Sequence, residues 1–589
     1  KTAFSEAQSP KPNLAALSPV QQQAADSLIK KLGGGFSVTL LDGVTGSGKT
    51  EVYFEVLAAA LRIQEEKNNH SLPETLPQTL ILLPEIALSV QWMARFEARF
   101  GFRPLVWHSH VTPAQKREAW KKIASGAAPV VVGARSALFL PYRNLKLMVI
   151  DEEHDHSYKQ DDQVIYHARD MAVARARYEK FPLLLASATP SLETVQNVRA
   201  GKYTELTLPA RHGGASMPTT ELIDMRLQKM PATQFISPRL REAIAAAIGR
   251  GEQALLFLNR RGYAPLVLCR RCGHRFECSE CSSWLVLHAS GIRVQGSGIG
   301  KEKDLFSLSP EPRSPIPSLQ CHHCHHREPM PPACPACGEK ESLAACGPGV
   351  ERIEEEAREI FPSARIAVMA SDQLSGDKEA AKIISDMEQK KIDLLIGTQM
   401  IAKGHHFGGL SVVGVVDSDL GLGGGDLRAA EKTYQLLHQL SGRAGRENIA
   451  GTVYLQSYLP DHPVIQALAS GDRDRFVSAE LVARENANMP PFARLAGIIV
   501  EGNKEDAVIK TAKLLASSFP ITPSPHHPVR LLGPAPAPLY RLRGLFRWRL
   551  LVRADRSVNL PELVKNWIAS IKPPSSVRVK IDIDPVGFL

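Results

Sequence analysis

The sequence has no uninterrupted apolar run of the roughly eighteen residues that a membrane-crossing helix requires. No basic stretch followed by an apolar one opens it, so nothing reads as a secretory signal. No internal repeat of fixed period is visible, which sets aside solenoid architectures. One sign of charge barely prevails: 71 Lys and Arg against 61 Asp and Glu leave +10 on 589 residues, with a pI near 9.1. That excess favours a polyanionic partner only moderately. These absences predict a soluble, cytoplasmic protein with no membrane partner. The length allows several domains, each with its own core.

Cysteine is also scarce, at nine residues, but it is not scattered. Eight stand as C-x-x-C pairs: Cys269 with Cys272, Cys278 with Cys281, Cys321 with Cys324, and Cys334 with Cys337. Cys346 is left over and is expected to be a buried free thiol. Without a secretion signal, disulfides are the poorer explanation. A two-residue spacer lets both thiolates of a turn face one tetrahedral Zn²⁺, and eight thiolates make two closed Cys₄ sites with no position left for water. Two structural zinc ions are expected, with iron–sulfur the minor alternative. His322, His323, His325 and His326 are spectators once those sets are full.

What is present in full is a phosphate-binding loop. Residues 43–50 read Gly43-Val44-Thr45-Gly46-Ser47-Gly48-Lys49-Thr50, matching G-x-x-x-x-G-K-[ST] at every fixed position. The apolar run 36–41 before it predicts a buried strand, and 51–61 after it predicts a helix. In that context the glycines let backbone N–H groups, with Ser47 among them, close around phosphates at a helix N-terminus. Lys49 adds a cation, and the Thr50 hydroxyl suits Mg²⁺. About a hundred residues on, the strand Leu147-Met148-Val149-Ile150 ends in Asp151-Glu152-Glu153-His154. Asp151 is placed to hold Mg²⁺ and Glu152 to orient and deprotonate a water, at the carboxyl end of a strand where sheet ligands gather. Together these predict ATP hydrolysis.

Strands expected at 79–83, 130–132, 147–150 and 183–186 alternate with helices, as in a parallel sheet. Residues 1–34 are taken as a lead-in and first helix, capped by Ser18 with Pro19 at its first position, and 35–232 as a first, ATP-binding α/β lobe. A second lobe is assigned to 233–266 and 346–459, with strands at 254–258, 365–369, 394–396 and 412–416. The cysteine module, 267–345, interrupts it, and 291–318 within that module is expected to be disordered from its Gly, Ser, Pro and charge content. Residues 460–589 read as a small α+β domain.

Near the end of the second lobe stands Gln439-Leu440-Ser441-Gly442-Arg443-Ala444-Gly445-Arg446, after a helix over 429–437. Two arginines there can reach a γ-phosphate across a cleft and stabilise developing charge, worth on the order of 10³–10⁵ in rate. Ser187-Ala188-Thr189 offers hydroxyls to link the nucleotide pocket to a moving neighbour. Arg135, in Gly133-Ala134-Arg135-Ser136-Ala137, and Lys403, after the strand 394–396, suit a phosphodiester backbone. Around Tyr158, Lys159, Tyr166 and His167, aromatics interleaved with cations suit base stacking, with core packing the competing reading.

These motifs resemble superfamily 2 helicases and, more closely, the PriA family of replication-restart helicases. The resemblance rests on 43–51, on Leu82-Leu83-Pro84-Glu85-Ile86-Ala87-Leu88, on 151–160, on Tyr166-His167-Ala168-Arg169-Asp170, on Asn259-Arg260-Arg261-Gly262-Tyr263-Ala264-Pro265, and on the cysteine pairs. It covers nearly the whole chain. It implies two RecA-like parallel-sheet lobes, a zinc-binding insertion in the second, and a small α+β C-terminal domain. It further implies a 3′→5′ ATP-dependent DNA helicase that acts on stalled forks and loads the replicative helicase. The implied partners are forked and single-stranded DNA, single-strand DNA-binding protein, and the primosome and helicase-loading proteins.

By the same resemblance, Gly43, Gly46, Ser47, Gly48, Lys49 and Thr50 bind ATP and Mg²⁺, and Gln21 contacts the adenine. Gln439, Arg443 and Arg446 sense the γ-phosphate, and the loop at Tyr158 and Lys159 couples DNA to hydrolysis. One zinc is shared by Cys269, Cys272, Cys334 and Cys337, the other by Cys278, Cys281, Cys321 and Cys324. The sequence departs from the family in three places. No segment corresponds to its upstream 3′-end-binding domain and winged helix, and since the first residue is Lys rather than Met an upstream part is expected. The loop 282–320 is longer than the family's spacer. Gly544-Leu545-Phe546-Arg547-Trp548-Arg549 lacks the Arg and Gln with which the family binds the acidic tail of single-strand DNA-binding protein, leaving Arg547 and Trp548 as DNA or partner contacts. A double-strand translocase and a non-hydrolysing assembly platform are the alternative functions.

Overall fold

A computed structural model describes residues 16–68, 77–84, 90–109, 111–211, 217–231, 234–259, 266–276, 285–288, 318–321, 327–340, 342–346, 350–370, 377–402, 407–422, 426–445, 449–520, 528–542 and 544–587. The expected disordered stretch 291–318 lies outside these residues except for Ser318.

The first sheet is built from β1 (Ser37–Gly43), β2 (Gln78–Leu82), β3 (Leu105–Trp107), β4 (Val130–Gly133) and β5 (Leu145–Asp151). After a small hairpin, β6 (Lys159–Gln160) and β7 (Tyr166–His167), it gains β8 (Pro182–Ser187) and β9 (Thr204–Leu208). The order is β3-β4-β2-β5-β8-β1-β9, parallel throughout. Both faces are covered, which is why these strands read as unbroken apolar runs. Leu80 and Leu82 pack on one side, with Val38 and Leu40 of β1. Ile81 turns to the other, with Leu41. The helix Pro19–Ile29 packs Ala24, Ala25 and Leu28 into that second side, so the expected lead-in helix is part of the lobe.

The second sheet starts with β10 (Thr219–Asp224) and β11 (Gln253–Phe257). An inserted antiparallel sheet follows: β12 (Leu266–Cys269), β13 (Leu285–His288), β14 (Ser318–Cys321), β15 (Arg327–Pro329) and β16 (Leu343–Cys346). The chain then returns with β17 (Ile366–Met369), β18 (Leu394–Gly397), β19 (Leu410–Val415) and β20 (Thr452–Ser457), giving the parallel order β10-β20-β19-β11-β18-β17.

Two expected boundaries move. β10 pairs with β20, so the second lobe begins by residue 219 rather than at 233. The helices Pro463–Ser470 and Arg473–Asn486 bury Val464, Ala467, Leu468, Phe476, Val477 and Leu481 in the second lobe's core, so that lobe extends past 459. Loss of recognisable motifs after Leu459 did not mean loss of packing. The last domain is a four-stranded antiparallel sheet of β21 (Ala493–Gly502), β22 (Val529–Leu542), β23 (Leu545–Asp555) and β24 (Val577–Ile583), in the order β22-β23-β21-β24. Helices Glu505–Ser517 and Leu560–Ala569 cover one face of it.

Candidate nucleotide and metal sites

The parallel registers of the first sheet gather distant residues at one edge. Asp42 aligns with Ser187, and Asp151 with Ala186. Beyond β1 the chain turns through Gly46 and Gly48, with φ of +84° and +82°, where glycine is the residue that fits. The helix Lys49–Asn68 starts immediately after. Lys49 Nζ donates to the Gly43 carbonyl at 2.7 Å. The hydroxyls of Thr45 and Ser47 are buried and have no partner among the described residues. A phosphate oxygen suits such orphaned donors, and the loop fits one. Gln21 closes a capping box with Ser18 and donates its Nε2 to the Ser47 carbonyl at 2.7 Å, which places it against the loop.

Asp151 ends β5 facing this loop. Tyr53, from the loop's helix, donates to its Oδ2 at 3.0 Å, and Trp92 Nε1 donates in turn to the Tyr53 hydroxyl at 2.8 Å. Burial, and then Glu152 beside it, raise the Asp151 carboxyl to about 6, against the opposing pull of Lys49. A divalent cation offsets both causes, so the donor set of Asp151 and Thr50 fits Mg²⁺. Glu152 is held at φ +49°, in the left-handed region, a strain on the order of 1–3 kcal/mol that surrounding structure has to over-determine.

That strained carboxylate meets the other lobe. Gln439 Nε2 lies 3.5 Å from Glu152 Oε2 and 2.8 Å from His154 Nε2. With the amide donating to Nε2, His154 carries its proton on Nδ1 and donates to Ser187 Oγ at 2.7 Å. Gln435, one turn back, donates to the Thr189 carbonyl at 3.2 Å. The Ser187–Thr189 turn therefore does face a neighbouring lobe. Gly442 sits so close to the phosphate loop that a Cβ there would meet the Thr45 side chain at 2.5 Å. Arg443 follows it on this turn; Arg446 lies outside the described residues.

Several residues of this seam escaped the sequence reading. Arg211 donates to the carbonyls of Gly442 (3.1 Å), Ala444 (3.1 Å) and Gly445 (2.7 Å), so a first-lobe arginine holds the second-lobe turn. Arg428 pairs with Glu193 and Glu431, and Arg484 with Glu431 at 2.9 Å. No motif surrounds Arg211 or Arg484, and only the folded topology brings them here.

The expected DNA contacts fare differently. Arg135 donates to the carbonyls of Ser157 and Lys159, at 2.8 and 2.9 Å, and so braces the loop it precedes. Tyr158 is 1% exposed, with its hydroxyl on the carbonyls of Leu82 and Asp151. Its ring faces are in the core, so here the packing reading replaces base stacking. Lys159 is buried against the C-terminal domain, with Nζ 2.5 Å from Asp582 Oδ1. Arg547 is likewise buried, at 8% exposed, rather than displayed. Lys403 lies outside the described residues, as do 85–89 and 260–265 of the family motifs.

In the inserted sheet the ligand atoms of Cys269, Cys272, Cys334 and Cys337 all lie within 4.8 Å of one another. Cys269 Sγ is 3.6 Å from Cys337 Sγ, and Cys272 Sγ 3.7 Å from Cys334 Sγ. Four sulfurs about 2.3 Å from one tetrahedral zinc stand about 3.8 Å apart, so the set fits Zn²⁺. It is the outer set of the nested pairing that the family resemblance implies. Cys278, Cys281 and Cys324 lie outside the described residues, as do the side chains of Cys321 and Cys346. Arg275 fixes the module to the second lobe, 2.9 Å from the buried Asp419. Gly273, at φ +77°, lies so near the Tyr458 carbonyl that a Cβ would come within 2.6 Å of it.

Comparisons with known proteins agree with this architecture. Residues 18–198 match the DEAD/DEAH box helicase family, and 485–586 match the primosomal protein N C-terminal domain. A replication restart protein PriA from Rickettsia felis is 45% identical over 93% of this chain and 78% of its own length. That of Haemophilus influenzae is 36% identical, over 94% and 70%. Among solved structures, RecG bound to a three-way DNA junction aligns with a TM-score of 0.42 and 16% identity, over 80% of this chain and 47% of its own. At 45% and 36% identity, with 78% and 70% of those relatives' lengths covered and the primosomal C-terminal domain matched at 485–586, the chain belongs to the PriA family of replication restart proteins.

Proposed function

We propose that the protein hydrolyses ATP to move 3′→5′ along DNA, unwinds stalled forks, and helps load the replicative helicase together with single-strand DNA-binding protein and other primosome proteins. The observation that carries this reading is the approach of Gln439 of the second lobe to Glu152 of the first, beside its hydrogen bond to His154, which Ser187 supports. Such a contact makes the hydrolytic geometry depend on how the lobes close. Gly43, Gly46, Ser47, Gly48, Lys49 and Thr50 hold the phosphates of ATP, with Gln21 at the base. Thr50 and Asp151 hold Mg²⁺, which when bound neutralises charge on the phosphates. Glu152 orients the attacking water and accepts its proton, and Gln439 keeps that carboxylate aimed. Arg443, on the turn that meets the phosphate loop, and Arg446, three positions on in the sequence, stabilise charge developing on the terminal phosphate.

Two zinc ions, one on Cys269, Cys272, Cys334 and Cys337 and one on Cys278, Cys281, Cys321 and Cys324, hold the inserted module rigid. Arg135 and Lys403 meet the DNA backbone, and the loop at Tyr158 and Lys159 couples that contact to hydrolysis. The test measures hydrolysis with single-stranded and with forked DNA, alongside strand displacement, in the wild type, Lys49→Ala and Glu152→Gln. The wild type should be stimulated by forked DNA and displace a strand, and both variants should be inactive while folded. Hydrolysis without displacement would point instead to a double-strand translocase. No hydrolysis in zinc-replete protein would point to an assembly platform.

A further inference from the structure

Arg473 opens the helix Arg473–Asn486, behind the capping side chain of Asp472. Its guanidinium holds both carboxylate oxygens of Asp42, with Nη1 2.6 Å from Oδ1 and Nη2 2.5 Å from Oδ2. Nη1 also donates to the Ala188 carbonyl at 3.2 Å. Asp42, 2% exposed, is the last residue before Gly43 and the phosphate loop. Ala188 is the middle of the turn whose Ser187 supports His154. One side chain thus grips two separate parts of the nucleotide site.

The helix that supplies it is fastened in the other lobe. Phe476 stacks on Tyr434 with ring centroids 4.3 Å apart and planes 6° from parallel. Arg484 pairs with Glu431, and Val477 and Leu481 lie in the second lobe's core. Charge gives the contact a second consequence. A buried carboxylate beside an anion-binding loop repels phosphate unless it is neutralised, and Arg473 neutralises it.

We propose that Arg473 is a positioning residue for ATP hydrolysis: through Asp42 and the Ala188 carbonyl it fixes the phosphate loop and the Ser187–Thr189 turn to the second lobe, so that both respond together to lobe closure. The proposal rests on the helicase reading above and touches no DNA contact. Its chemistry separates two variants. Arg473→Lys keeps the cation but cannot span two carboxylate oxygens and a carbonyl. Arg473→Gln loses the cation as well.

The experiment pairs nucleotide binding and steady-state hydrolysis with hydrogen–deuterium exchange on the full chain without nucleotide. Arg473→Lys should bind a fluorescent ADP analogue within about threefold of wild type, yet lose about tenfold in kcat for hydrolysis, because alignment and not affinity is spoiled. Arg473→Gln should weaken ADP binding as well. In either variant the amides of 43–48 and of 187–189 should exchange faster together. A Lys variant with kcat within about twofold of wild type overturns the proposal, as does faster exchange confined to one of the two segments. Should Arg473→Gln fail to fold, Arg473→Lys decides both readouts. A wild type that DNA does not stimulate removes the helicase reading alone, and basal hydrolysis with the exchange result still decides the role of Arg473.

Discussion

Acid should loosen the seam between the lobes, and His438 is the group that makes the effect measurable. It lies on the helix Ala429–Ser441, its ring 5.6 Å from that of Tyr434, with Nδ1 sealed from solvent. Burial first, then the cations Arg473 and Lys49, the His154 ring and Arg211, push its pKa from 6.5 down to about 4. Between those values the unfolded chain binds a proton that the native site refuses. Stability therefore rises with pH across this window and is lost as pH falls through it. Linkage puts the loss at up to about 2 kcal/mol between about pH 7 and about pH 5. For lobes of this size that lowers the thermal midpoint by about 4–8 °C. The assay is the unfolding midpoint of wild type and His438→Gln across that range. His167, lowered to about 3 chiefly by burial, adds a slope of the same sign to both proteins, so the difference between them is what reports His438. Parallel curves for the two proteins would refute the reasoning.

The seam and the module give three further expectations. Gly442→Ala brings a methyl against Thr45 and should force the lobes apart, lowering kcat by about tenfold or more with ADP affinity retained; a wild-type rate would show that closure tolerates the methyl. Chelating the metal of Cys269, Cys272, Cys334 and Cys337 should unfold the inserted sheet, read as zinc release matched by new protease cleavage in 266–346; unchanged resistance after full release would contradict it. Lys159→Met strands the carboxylate of Asp582 and should cost about 3–5 kcal/mol of docking between the C-terminal domain and the first lobe. Faster amide exchange in β24 would register that loss, and unaltered exchange would argue against it.

The sequence disclosed most where chemistry and local geometry coincide. The phosphate loop needs its glycines at fixed positions for φ beyond +80°, and Asp151 and Glu152 must follow an apolar strand, so both were legible. The C-x-x-C spacing likewise announced a tetrahedral thiolate site. Arg211, Arg473 and Arg484 were not legible, since an isolated arginine in a helix or loop looks the same whether it meets solvent or a carboxylate 431 residues away. Tyr158 misled for the opposite reason. An aromatic beside lysine on a short loop fits base stacking, but its hydroxyl finds the carbonyls of Leu82 and Asp151, and burial wins. The boundary near 459 failed because function-bearing motifs ended there while apolar periodicity, at Val464, Leu468, Phe476 and Leu481, continued.

The polar character of the seam has a physical rationale. Each lobe is built on a close-packed apolar core, which keeps it rigid. Between them Leu192 and Val195 of the first lobe pack on the second lobe's core, and the polar side-chain contacts are ionic or amide: Arg473 with Asp42, Arg428 with Glu193, Arg211 with the 442–445 carbonyls, and Gln439 with Glu152 and His154. A dry hydrophobic seam would hold the lobes through area alone and tolerate small slips in register. Buried ion pairs behave differently, because the cost of removing charges from water nearly offsets their attraction, while their geometry admits few arrangements. Such a seam specifies one closed position sharply and binds it weakly. On the proposed reading, in which the lobes close over ATP and reopen in every cycle, that combination ties the aim of Glu152 to the one arrangement in which the arginine turn touches the phosphate loop.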